Sequence, residues 1–116
     1  AYSALDISRL NVRRRQLGSH MRGFMERYDL LVTPTIAVPA FAAREPASVP
    51  MTPESMLGWT PFSYPFNLTQ QPAATVPCGV SGEGLPIAMQ LVGARFDDAR
   101  VLRAARAWER LRPVEA

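Results

Sequence analysis

The sequence contains no lysine: all 13 of its basic residues are arginines. It has one cysteine, Cys78, and one histidine, His20. A single cysteine excludes an internal disulfide and a multi-cysteine metal site. A single histidine leaves no partner for a zinc ligand set. Neither a metal nor a cofactor is therefore expected. No run of apolar residues approaches the roughly 18 needed to cross a bilayer, and the mixed stretch Ala1 to Leu10 does not read as a signal peptide. The sequence reading is a cytoplasmic protein with no membrane contact.

The formal charge of +3 raises the question of nucleic acid. Only Arg13, Arg14 and Arg15 form a run, and no aromatics interleave with it. A solvated helix face is the better reading, so no nucleic-acid partner is expected. Hydrophobic residues make up 47% and charged residues 20% of 116, which excludes a disordered tail and leaves room for one core.

Helical spacing of Leu10, Leu17, Met21, Phe24, Met25 and Tyr28 predicts a helix from about Ser3 to Tyr28. Arg14 projects near that stripe and must snorkel. Gly18 and Gly23 each weaken the helix by about 1 kcal/mol relative to alanine, unless they mark close packing. Gly18-Ser19-His20-Met21 matches the scar of a cleavable tag, yet the stripe runs through it in phase, which favours native sequence.

Asp29 to Thr33 reads as a short strand covered on both faces and ended by Pro34. From about residue 34 to 61, prolines break every period, with room for one helical turn near Pro53 to Met56. Length alone leaves open a binding loop or a surface excursion. Ala73 to Pro77 reads as a second buried strand, Ser81 to Gly84 as a turn, and Pro86 to Gly93 as the clearest strand. A buried Gln90 in that strand needs its amide paired. The last helix spans about Asp98 to Arg112, with Asp97 as N-cap, Val101, Leu102, Ala105 and Trp108 inward, and Pro113 as the stop. The order predicts an α/β class: a partial, mixed β-sheet flanked by helices, in one segment covering residues 1–116.

The stretch from Pro65 to Gly79 resembles the C-terminal block of the amidase signature family, with its asparagine, Pro-Ala pair and Val-Pro-x-Gly strand end. Gly84 to Gly93 is similar to that family's Gly-Leu-Pro-x-Gly-x-Gln strand. Asp29 to Thr35 looks like its strand and Thr-Pro turn, and Glu109 stands where a glutamate commonly closes the final helix. Two departures stand out: a glutamine, Gln70 or Gln71, where glycine is commoner, and Ala88 for glycine.

This resemblance implies a hydrolase of carboxylic amides working through a Ser-Ser-Lys triad. A lysine acts on a bridging serine, which activates the nucleophile, and backbone amides hold the oxyanion. This sequence has neither lysine nor a Gly-Gly-Ser-Ser segment, and arginine stays protonated at any usable pH. No catalytic residue is therefore assigned here. The expected role is scaffold and pocket wall for a small-molecule amide, beside the N-terminal part of the same amidase or a second copy of the chain.

The resemblance makes Trp59, Thr60, Phe62 and Tyr64 the substrate-binding candidates, although four aromatics in eight residues often simply fill a core. The amidotransferase branch tends to carry an acidic residue in this stretch, and Thr60 to Ser63 has none. That favours a general amidase over the A subunit of an amidotransferase. The rival is a non-catalytic, amidase-like binding or self-association module. Cys78 reads as a buried structural thiol, His20 as surface, Ser63 and Ser81 as turn residues. Asn67 and Gln90 are expected to tie loops to strands.

Overall fold

The computed structural model of the chain describes residues 2–40, 58 and 60–112. Trp59 and the helical turn expected near Pro53 lie outside them. The elements are α1 (Ala4–Met25), β1 (Leu31–Pro34), α2 (Tyr64–Thr69), β2 (Ala73–Val80), β3 (Pro86–Val92) and α3 (Asp98–Leu111).

Helix α1 opens with a capping box. Ser3 Oγ accepts from the Asp6 backbone N–H at 3.2 Å, and Asp6 Oδ2 accepts from the Ser3 backbone N–H at 3.0 Å. These bonds satisfy donors that a helix start otherwise leaves free. The helix runs unbroken through residues 18–21. Its stripe is buried less than its spacing predicts. Met25 is buried and Met21 and Phe24 are half-buried, whereas Leu10, Leu17 and Tyr28 stay exposed. Among the described elements, α1 packs chiefly on α2. Gly18 and Gly23 mark no close packing either, since a Cβ on each would meet nothing within 4 Å. Arg14 does reach across, its Nε donating to the Leu68 carbonyl at 2.9 Å.

Strand β3 is central and pairs antiparallel with β1 on one side and β2 on the other. Of the mixed sheet expected, this chain thus supplies an antiparallel part. Leu31 lies opposite Val92 and Thr33 opposite Gln90; Ala74 lies opposite Leu91 and Val76 opposite Met89. With the two-residue period of a strand, Ala74, Val76, Met89 and Leu91 share one face. Helix α3 covers that face, so Val76, Leu91 and Val101 form the core with Ala104, Ala105 and Trp108 around them. Leu102, expected inward, is 65% exposed, and Ala104 takes its place. Trp108 Nε1 donates to the Pro77 carbonyl at 2.7 Å, which fastens the helix to β2.

β1 is an edge strand, and Val32 is 55% exposed, so the expectation of cover on both faces fails within this chain. β2 likewise buries only Val76. Cys78 is exposed rather than buried, because it follows Pro77 where the register slips before Gly79. The turn after β2 forms as expected: Ser81 Oγ accepts from the Leu85 backbone N–H at 3.1 Å, and Gly84 adopts φ 79°.

Asp97 stands at the N-cap of α3, but its carboxylate pairs with Arg100 Nε at 2.6 Å instead of capping a backbone N–H. Arg100 also pairs with Asp29 just ahead of β1. The helix ends at Leu111, and Arg112 leaves the α region (φ −134°, ψ 69°), which a following proline disfavours. Gly93 is obligatory where β3 meets α3. A Cβ there would lie 2.6 Å from Val101 Cγ2, and valine is too stiff at χ1 to swing away.

Candidate functional site

The face of the sheet opposite α3 carries Leu31, Thr33, Thr75, Gln90 and Val92. Gln90 is a buried polar residue at its centre. Its Nε2 donates to Thr33 Oγ1 and to the Phe62 carbonyl, both at 3.1 Å. Thr33 Oγ1 in turn donates to the Pro34 carbonyl at 3.0 Å. One amide therefore joins β3, β1 and the segment that carries three of the four substrate-binding candidates. This is the pairing that a buried glutamine demands.

Beyond Phe62 the chain turns at once into α2. The Ser63 N–H donates to the Thr60 carbonyl, and the Ser63 carbonyl accepts from the Asn67 N–H, both at 3.2 Å. Thr60 and Phe62 are half-buried, Tyr64 is 37% exposed, and Phe66 is the aromatic that goes into the interior. Phe62 and Tyr64 stay outside the cluster around Val76, Leu91 and Val101. Asn67, expected to act as a tie, is exposed, and its side chain makes no hydrogen bond among the described residues.

Gln71, which spacing alone does not single out, performs that task. Its Nε2 donates to the Gly93 carbonyl at 3.2 Å, and the Gly93 N–H donates to the Pro72 carbonyl at 3.0 Å. Thr69 Oγ1 lies 2.8 Å from both the Pro65 carbonyl and Gln71 Oε1, so its one proton is shared by two acceptors. Gln70 adopts φ 60°, ψ 41° at the end of α2. This left-handed cap is what glycine provides freely, so the position where glycine is commoner has a geometric reason. Gln70 holds it with help from Arg95, whose Nη2 donates to Gln70 Oε1 at 2.6 Å.

A groove lies elsewhere, between α1, the end of α2 and the turn after β3, and its lining includes none of Thr60, Phe62 and Tyr64. Among the described residues there is no group of three histidine, cysteine or acidic side chains placed to hold a metal ion. No helix among them is long and apolar enough to cross a membrane.

The family model described as Amidase matches residues 1–102. An acylamidase of Rhodococcus erythropolis is 36% identical over 96% of this chain, which covers 24% of that protein. The A subunit of the glutamyl-tRNA(Gln) amidotransferase of Oceanobacillus iheyensis is 42% identical over 73% of this chain, with 17% of that protein covered. Among solved structures, the A subunit of the glutamyl-tRNA(Gln) amidotransferase of Thermotoga maritima superposes with a TM-score of 0.81 at 32% identity, over 95% of this chain and 23% of that one. A bacterial aryl acylamidase of the amidase signature family gives 0.81 at 30% identity, over 96% and 24%. The chain thus spans between a sixth and a quarter of the length of these relatives.

Proposed function

The chain belongs to the amidase family, and on that premise we propose that it is the scaffold and pocket-wall portion of a cytoplasmic serine amidase whose Ser-Ser-Lys triad lies outside these residues. The observation that carries this reading is a family match over residues 1–102 in a sequence without lysine. A serine hydroxyl is a weak nucleophile until a base takes its proton, and arginine is too strong a base to be found deprotonated. The residues here have a different task. Gln90 ties the main chain at Phe62 to the sheet, and in this reading Thr60, Phe62 and Tyr64, with Trp59, wall an acyl site for an apolar or aromatic amide.

The second reading is the A subunit of an amidotransferase, and 42% identity to one such protein favours it. The acylamidase match extends over more of the chain, and residues 60–63 carry no acidic side chain for an amino-acid substrate. We therefore rank the general amidase first.

The test is a chimera in which this chain replaces the matched quarter of the R. erythropolis acylamidase. Amide hydrolysis should be restored, and Phe62→Ala in the chimera should raise KM about tenfold or more with kcat less affected. The isolated chain should release no product from aryl or aliphatic amides. Steady turnover by the isolated chain, abolished by replacing one of its serines, would overturn the assignment.

A further inference from the structure

The groove beside α1 has a volume of about 810 Å³, within the range of small-ligand sites. Four guanidinium groups, Arg14, Arg15, Arg22 and Arg95, stand in its lining against one carboxylate, Glu26. Arg15 and Arg22 are seven residues apart. Two turns of helix put them on one face of α1, about 10 Å apart along its axis. Neither guanidinium has an ion-pair or hydrogen-bond partner among the described residues. Arg14 and Arg95 are each anchored by a hydrogen bond, to the Leu68 carbonyl and to Gln70, and keep further N–H donors.

A separate observation comes from the rim. Phe96 adopts φ 69° and is 83% exposed, with the Arg95 guanidinium 4.7 Å from its ring centroid. The left-handed region costs a bulky residue roughly 1–2 kcal/mol. Here that cost sets an aromatic ring in water rather than in a core, and strain of this kind clusters at ligand sites.

We propose that this groove binds a nucleotide-like ligand, with its phosphates on Arg15 and Arg22 and its planar ring stacked on Phe96. Guanidinium forks match phosphate oxygens two by two, and a diphosphate presents enough oxygens for more than one fork. The Phe96 ring supplies a face for stacking that is independent of which base is offered. The Arg13 to Arg15 run, which reads from the sequence as a solvated face, divides accordingly: Arg14 and Arg15 line the groove and Arg13 does not. This site is separate from the proposed acyl wall and stands or falls without it.

The probe is ADP, titrated calorimetrically into the chain at physiological salt, with inorganic pyrophosphate and adenosine as separate arms. Saturable ADP binding is expected, weakened about tenfold or more by Arg15→Gln with Arg22→Gln. Phe96→Ala should weaken ADP and leave pyrophosphate unchanged. The pair Arg103→Gln and Arg110→Gln, exposed on α3, should change neither. Circular dichroism of each variant confirms that its helices are intact. No saturable ADP binding, an equal loss in the α3 pair, or adenosine binding as tightly as ADP would each refute the site.

Discussion

At the scale of the residue, Gln90 is the side chain on which most depends. It is buried and gives both of its amide protons to partners on two other segments. Gln90→Met keeps the length and removes the donors, leaving the Phe62 carbonyl and Thr33 hydroxyl short of a partner. A buried group left unpaired costs about 1–3 kcal/mol, so the denaturant midpoint of the chain should fall accordingly. Gln90→Glu should be at least as damaging, because it brings a charge to the same buried place. The need for this pairing is legible in the sequence, since a lone glutamine among apolar residues must bond something. Its partners are not, because Phe62 contributes through its main chain, which no side-chain pattern records. Cys78 escapes a sequence reading for a related reason: its neighbours are apolar, but the slip between Pro77 and Gly79 turns that end of β2 outward.

At the scale of the element, the ends are easier to read than the faces. Ser3 and the Ser81 to Gly84 turn place boundaries through local chemistry, and the structure puts them close to where that chemistry acts. The faces depend on neighbours. Leu5 and Val12 lie on one side of α1, while Leu10, Leu17 and Met21 lie nearly opposite, and a helix apolar on two sides is built to be sandwiched. Among the described elements its main neighbour is α2. Asp6 gives a test of the capped end. Its carboxyl sits below the usual carboxylate range because Ser3 donates to it, first through the hydroxyl and then through the backbone N–H. A lowered pKa in the folded state means that the cap stabilises α1 above the unfolded value of about 4 and is lost as pH falls through the folded one. Far-ultraviolet circular dichroism should therefore show α1 fraying below about pH 4. In Ser3→Ala the helix should already be frayed at neutral pH, and the acid-dependent change should shrink.

At the scale of the whole molecule, large apolar side chains face outward in numbers that a self-sufficient domain avoids. Leu5, Ile7, Leu10 and Val12 are each at least half exposed, as are Val32, Val80, Leu102 and Leu111. Exposed apolar surface of this kind favours association. Sedimentation of the isolated chain should show concentration-dependent self-association, and Leu10→Glu with Leu17→Glu should shift it toward monomer. A stable monomer with a sharp, cooperative unfolding transition would instead favour the self-contained binding module.

The strand order carries a consequence for how the chain is made. β1 and β2 leave the ribosome before β3, yet among the described residues each pairs only with β3, which lies between them. Until that last strand emerges, two apolar segments wait with their ladders unformed. The sheet then closes in one late step that includes a contact between distant parts of the chain, the slow kind of step in which stray pairing competes. Pro77 and the irregularity beside it sit on the strand that waits, where a missing donor and a broken register deny a straight template to any other strand that meets it first.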